Sequence, residues 1–406
     1  MKGLFNKKTL TIFMSLILTA TTACSSEKGQ SNDTTDSLDQ EVTNLTVYYE
    51  DDTLTPYFEY LNKQNDDVNC EFVLQNNESF VDLIAEQSTI SEEPCDIFIL
   101  NSADLQRAYY AGIVSEIKDD EIINLDNYAT PAIQAVTYED KIYGYPFTFS
   151  TSVLVYNKQY VDKEPMYFTE IEDFANSFEV NEDTLNVQSI MSWDVADTFL
   201  NYAFIGGSIN DFGENGDTKK FDICNDKSIE ALSYYQSLNS MFYMDVADDM
   251  YEDCLLKFKN GALCYSIIHS DDIESLEDTD VDYGIARIPD ISEDIQSKAL
   301  SNNYIVCVNP YSSNSEKAIN EAKNIAFYQA GKIYETTKQF ASAKNVTNAN
   351  EKVYEAYEQS KPVVKLLDIG DYYTDLHICF YNVWCGENIE KNLLDVENDM
   401  KLQFGK

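Results

Sequence analysis

Two stretches in which strand and helix signals alternate, far apart in the chain, limit the fold more than any other feature. The first opens at Asn44 to Glu50, where Leu45, Val47 and Tyr49 alternate with Thr46 and Tyr48, the period of a half-buried strand. An amphipathic stretch from Pro56 to Lys63 follows, then a second strand at Cys70 to Leu74 and a helical face of Phe80, Val81, Leu83 and Ile84. Asp96-Ile-Phe-Ile-Leu100 is apolar after its first residue, as a parallel strand covered on both faces requires. The helix after it, with Leu105, Ala108 and Tyr109 on one face, stops at Gly112. The second stretch is a strand at Tyr304 to Val308, then Ala318, Ile319, Ala322, Ile325 and Ala326 at helical spacing. Such alternation predicts an α/β architecture with mostly parallel sheets flanked by helices.

Between them lies an insert, Ser152 to Ser301, with strands of its own at Gly261 to Ile268 and Asp282 to Pro289. The tail from about Asn345 reads as helical. From Leu45 onward there are roughly 360 residues, enough for two lobes.

The N-terminus predicts export. Lys2, Lys7 and Lys8 precede a short apolar run, Leu10 to Ala20, too short for a permanent span. It ends in Ala20-Thr-Thr-Ala-Cys24, which resembles the signal peptides of bacterial lipoproteins and implies removal of residues 1–23 and lipidation of Cys24. Residues 24–43 are polar and read as a flexible tether.

Charge and motifs exclude several functions. The chain carries 28 basic against 71 acidic residues, a net charge of −43, which argues against nucleic acid and phosphate ligands. A solvated acidic surface explains most of it; a cationic ligand is permitted, not required. His269 and His377 are the only histidines, and neither GxSxG nor GxxxxGK[ST] occurs. No enzyme activity, metal or cofactor is therefore expected. Besides Cys24 there are Cys70, Cys95, Cys224, Cys254, Cys264, Cys307, Cys379 and Cys385, an even set that could pair or remain as buried thiols.

Several segments, in order, resemble the extracellular solute-binding proteins of ABC transporters, in the sugar-binding group that includes maltose-binding protein. They are Asp96 to Leu100 with Ala111 to Ile117, Lys141 to Phe147 with Leu154 to Lys158, Ile205-Gly-Gly-Ser208, Phe258 to Cys264, Tyr283 to Pro289 and Ser313 to Tyr328. Together they cover nearly the whole body. At Ser301-Asn-Asn303 this chain lacks the family's usual glycine pair, and at Leu100 it lacks a tryptophan found in maltose binders. The resemblance implies a two-lobed periplasmic-binding-protein-like α/β fold with a multi-strand hinge. Lobe 1 would comprise 44–151 and 302–342, and lobe 2 would comprise 152–301 and 343–406.

In open α/β lobes, ligand groups lie beyond the C-terminal ends of strands. That rule selects Tyr49, Glu50, Asp51, Asn101, Ser102 and Asp104; Asp104 could equally cap the helix beginning there. The resemblance adds Ser150 and Thr151 at the crossover, Tyr373 as a stacking ring, Trp193 as a stacking ring or equally a core ring, and His269 at an aromatic contact position or as a satisfied loop histidine. Tyr304 follows the missing glycine pair and could face the cleft or the core. The implied function is capture of a small ligand, a mono- or oligosaccharide, for an ABC permease by a lipid-anchored monomer on the outer face of the cytoplasmic membrane. Two alternatives stay open: a cationic ligand such as a polyamine or basic peptide in the same fold, and a surface lipoprotein acting as glycan hydrolase or adhesin.

Overall fold

The computed structural model describes residues 43–404, apart from 65–67, 77–78, 92, 213–217, 247–249, 345, 347–350 and 367–368. The signal peptide, Cys24 and the tether up to residue 42 lie outside the described residues.

The predicted first strands form as β1 (Thr43–Tyr49), β2 (Val68–Leu74) and β3 (Ile97–Asn101). β1 lies between the other two and runs parallel to both, with Val47 opposite Phe72 and Ile97. Helices Thr55–Asn62, Phe80–Ile90 and Leu105–Tyr110 follow these strands in turn. A hairpin of β4 (Thr137–Tyr138) and β5 (Lys141–Ile142) leads into β6 (Tyr145–Asn157), a strand of 13 residues. Then come β7 (Ser189–Met191), β8 (Leu263–His269), β9 (Tyr283–Ala286), β10 (Leu300–Val308), β11 (Phe340–Ala341) and β12 (Lys361–Pro362).

β6 and β10 set the architecture. The sheet order is β2-β1-β3-β10-β6-β8-β7. The first part of β6 pairs with β10, placing Thr148 opposite Tyr304 and Thr151 opposite Ser301. Its second part pairs with β8 and β9, placing Ser152 opposite His269. β6 carries the chain out of the first half and β10 brings it back, so the two run antiparallel. The sheet is consequently mixed. Parallel pairing is confined to β1 with β2 and β3, β7 with β8, and β10 with β12.

Beyond Ser152, β6 is buried on both faces and sorts its side chains with period two. Val153 and Val155 join a cluster with Leu263, Ile268 and Ile285 that continues into the first half through β1 and β3. Leu154 and Tyr156 face a second cluster built on Trp193, Phe204, Tyr235 and Trp384. In the tail, helix Glu351–Glu358 packs on β6 and buries Val353, Ala356 and Tyr357 in the first cluster. Phe149 of β6 stacks on Tyr357 with centroids 3.7 Å apart, and the Tyr357 hydroxyl donates to Asn303. Asn303 also donates to the Ser301 carbonyl at 3.2 Å, so side-chain hydrogen bonds occupy the place where the resembling family has glycine. Helices Gly370–Trp384 and Ile389–Gln403 complete the tail.

Of the two states left open for the cysteines, the thiol prevails. Among the described residues no disulfide joins Cys70, Cys95, Cys224, Cys264, Cys307, Cys379 or Cys385. Cys254 shares a hydrogen bond with Ser192 at 3.2 Å. Among the described residues no helix is long and apolar enough to cross a membrane.

The glycine pair has a steric cause. Gly206 and Gly207 end helix Thr198–Ile205 where the backbone of residues 296–298 passes close by. A Cβ on Gly207 would stand 2.1 Å from the Gln296 carbonyl oxygen. Replacing Gly207 by alanine forces two backbone segments apart and should cost about 1–3 kcal/mol. Urea unfolding checks this, and a midpoint unchanged from wild type would contradict the packing described.

Candidate functional site

The C-terminal ends of β1 and β3 present one wall of a cleft. Glu50 follows β1 and is half-buried; burial raises its carboxyl above the ordinary range, and the charges of Asp104 and Asp51 push the same way. Asp51 caps the short turn Asp52–Leu54 by accepting from Thr53 N at 3.0 Å, and its other oxygen accepts from Gln339 Nε2 at 2.9 Å. Asn101, at the end of β3, accepts from Ala103 N at 3.0 Å. Asp104 is raised by burial, an effect that nearby Arg107 opposes. Its side chain makes no capping hydrogen bond to the helix that starts at Leu105.

The opposite wall is the end of β8 and the start of helix Thr198–Ile205. His269 Nε2 lies 3.1 Å from Asp197 Oδ2, while Asp197 Oδ1 caps the helix through Phe199 N and Leu200 N at 2.7 and 3.1 Å. The imidazole lies between two rings, stacked on Phe199 at 5.3 Å and edge-on to Tyr251 at 4.8 Å. Burial pulls the His269 pKa down, but the Asp197 hydrogen bond and charge, with help from Asp271 and Asp272, raise it overall. The Tyr251 hydroxyl donates to Asp272. Asp271 is open to solvent, yet desolvation by surrounding protein is the largest influence on its carboxyl, pushing it up to about 6. A carboxylate on the floor of a concavity shows that combination: a water molecule reaches it, but bulk solvent does not surround it. Ser150, on β6 between the walls, hydrogen-bonds to Asp271.

Tyr304 ties the walls together. It stands on β10 between Asn101 and Thr148. Burial first, then the charges of Asp51 and Glu50 from one wall and Asp271 from the other, raise its hydroxyl pKa, while a hydrogen bond from Asn101 opposes the rise. The cleft thus joins carboxylates, an amide, hydroxyls and rings of Tyr304, Phe199 and Tyr251. That set can bind paired hydroxyl groups and the flat faces of a ring compound. Among the described residues no group of three or more histidine, cysteine or acidic side chains is placed to hold a metal ion.

Volume alone does not pick out this place. A groove of about 910 Å³ on the second half is lined by Phe178, Val187, Ile190, Met241 and Tyr243 beside the edge strand β7. Another of about 500 Å³ lies by Gln134, Gly207, Arg287 and Lys298. Neither gathers the ends of strands from both halves.

The family described as bacterial extracellular solute-binding protein matches residues 57–363. The chain belongs to that family. A maltooligosaccharide ABC transporter solute-binding lipoprotein of Streptococcus pneumoniae is 26% identical over 185 residues, 44% of this chain and 43% of that protein. The chain thus matches less than half the length of that curated relative. A maltodextrin-binding protein of Bacillus subtilis is 22% identical over 317 residues, 71% of this chain and 74% of the relative. Among solved structures, an extracellular solute-binding protein of Staphylococcus aureus in complex with maltose is similar at TM-score 0.77 and 17% identity, covering 90% of this chain and 98% of the other. The Listeria monocytogenes maltose-binding periplasmic protein MalE, also in complex with maltose, follows at TM-score 0.71 and 18% identity, covering 89% and 98%. These likenesses show a two-lobed periplasmic-binding fold.

In this solute-binding protein the structure gathers Glu50, Asp51, Asn101, Asp104, Ser150, His269 and Tyr304 of the residues selected from sequence. It places five others elsewhere. Tyr49 is buried, packed on Phe58, with its hydroxyl 3.0 Å from Thr55 Oγ1, because its position on β1 points into the core. Ser102 is buried, one residue past the strand end. Thr151 is buried and donates to the Leu300 carbonyl at 2.7 Å, holding the two crossing strands together. Trp193 is wholly buried, stacked on Phe204 and edge-on to Trp384, with Nε1 donating to Asn201 at 2.9 Å; no ring face remains for a ligand. Tyr373 is turned toward buried Asp211, and its hydroxyl accepts from Val364 N at 3.1 Å. Sequence reasoning missed Phe199, Tyr251, Asp271 and Asp272. The strand-end rule, carried three residues beyond His269 as it was from Asn101 to Asp104, reaches both aspartates.

Asp271 gives a signed pH prediction. Its folded pKa of about 6 exceeds the ordinary 3.8, so its contribution to stability is fully present below 3.8 and is lost as pH rises through about 6. Asp271→Asn should therefore stabilise the protein more at pH 7.5 than at pH 4. Thermal melts at the two values check it, and an equal shift at both would remove Asp271 from its confined place.

Proposed function

We propose that this protein captures a neutral oligosaccharide of the maltodextrin class between its two lobes and passes it, as a monomer, to an ABC permease. The lobes are 44–151 with 302–342 and 152–301 with 343–406, save that helix Glu351–Glu358 packs into the cluster of the first half, and they close by bending near the Thr151–Ser301 pair. The observation that carries this reading is Tyr304, set between Glu50, Asp51 and Asn101 on one wall and Asp271 on the other. A sugar bridging the walls contacts both lobes only when they close, so it favours closure by its differential contacts. Carboxylates and the Asn101 amide suit paired hydroxyls, and the rings of Phe199 and Tyr251 flank His269 beside them. The curated relatives named above are maltooligosaccharide and maltodextrin binders, and one of them is a lipoprotein. A lipid at Cys24 would hold the captor beside its permease and raise its effective concentration there.

A second reading rests on a separate observation. Glu50, Asp104 and Asp271 are all held above the ordinary carboxyl range, and among the described residues no ion pair engages Glu50 or Asp271. Burial is the first cause in each, and a cationic amine entering beside them would favour their charged forms against it.

Thermal melts with maltotriose and with spermidine separate the two. At a ligand concentration about a hundredfold above its dissociation constant, the bound form gains roughly 2.7 kcal/mol. Maltotriose is expected to give that gain and spermidine none; the reverse result replaces the sugar with a cation. Tyr304→Ala should weaken maltotriose about tenfold or more, by isothermal titration, while leaving the fold intact.

A further inference from the structure

Beside the cleft, a second set of contacts joins the halves without touching the binding groups. Helix Glu274–Glu277 follows the Asp271–Asp272 turn in the second half, and Leu276 anchors it in the core. Helix Ile333–Thr337 belongs to the first half, where Ile333 is buried and the helix packs on Thr55–Asn62. Between them, the Tyr334 hydroxyl donates to Glu277 Oε1 at 2.8 Å and Lys338 Nζ reaches Glu277 Oε2 at 3.1 Å. Both oxygens of one carboxylate are therefore held by the opposite half.

The first-half side is built for this contact. Lys338 caps its helix with φ +61°, a left-handed conformation that favours glycine or asparagine, yet a lysine stands there. Its ammonium lies 5.3 Å from the Tyr334 ring centre. It also feels the charges of Glu274 and Asp278, so one cation meets three acids of the facing half. The next residue, Gln339, is the one that holds Asp51 of the cleft wall, at 2.9 Å. Residues 338 and 339 thus link the binding wall to the cross-half contact. The Tyr334 hydroxyl and the Lys338 ammonium hold the Glu277 carboxyl below its usual range.

We infer that Glu277 with Tyr334 and Lys338 forms an electrostatic clasp that favours the closed jaw, so that salt weakens capture even of an uncharged ligand. This rests on the closing-jaw reading. Lys338 and Glu277 are 35% and 41% exposed, so solvent screens the pair and its effect is modest.

The test uses the mature protein with Lys338→Gln, Glu277→Gln and the double variant carrying both changes. Small-angle X-ray scattering of the ligand-free protein reads closure at about 20 mM and about 500 mM NaCl. Isothermal titration with maltotriose reads affinity. Wild type should be more open at high salt. Each single variant should already be as open at low salt and bind maltotriose about two- to threefold more weakly, and the double variant should lose no more than Lys338→Gln alone. Variants that scatter and bind like wild type at low salt, or a double variant whose losses are the sum of those of the two singles, overturn the clasp. If wild type fails to bind maltotriose while its scattering responds to salt and charge as stated, the sugar assignment falls and the clasp stands.

Discussion

The antiparallel pairing of β6 with β10 is the constraint from which the rest of the structure follows. One strand carries the chain out and the other brings it back, with Thr151 opposite Ser301 at the crossing. Both strands are continuous through the crossing, with one shift of register between Tyr304 and Ile305, so backbone pairing carries the passage and the waist needs no flexible linker. Thr151 reinforces the crossing by donating to Leu300, and Tyr357 caps it from behind against Phe149 and Asn303. The same pairing determines chemistry. It puts Ser150 and Tyr304 between the walls, and it sets the ends of β1, β3 and β8 on either side of them.

Much of this was legible in the sequence because it depends on local pattern. The alternation at Leu45, Val47 and Tyr49 and the apolar run Ile97 to Leu100 follow from burial on one face or two, so the strands appeared within a residue of where they were read. The direction of the sheet was less legible. Parallel pairing follows from strand–helix–strand units, but β6 and β10 reach each other through a long insert, and no local pattern encodes that return. Gly206 and Gly207 could be seen, whereas their cause, the carbonyl of Gln296 at a Cβ position, is a contact between distant segments.

The candidate residues divide along the same line. Strand ends can be read, so Glu50, Asp51 and Asn101 were selected by rule, and His269, at the end of β8, by resemblance. Side-chain direction cannot be read from an end alone. Tyr49 and Glu50 are neighbours, and the period of the strand sends one inward and leaves the other at the mouth. For Trp193 stacking and core roles were both open, for a related reason. A large ring at the spacing of a stacking residue is also what a core needs, and a second ring cluster, Phe204, Tyr235 and Trp384, was waiting for it. Phe199 and Tyr251 escaped because they become neighbours only through His269, which lies far from both in sequence.

Acidity acts differently at the surface and in the cleft. Spread over exposed positions, the charge of −43 is screened within about a Debye length and does little beyond keeping the protein soluble. In the cleft, Glu50, Asp104 and Asp271 are partly desolvated, the first two on one wall, where the charge of Asp104 acts on Glu50, and the third on the other. An empty closed jaw therefore works against its own carboxylates, and hydroxyl donors or a cation entering between the walls would remove part of that opposition. The cation at Lys338 stands outside the cleft, against Glu277, where it offsets repulsion between the halves without occupying the ligand's place.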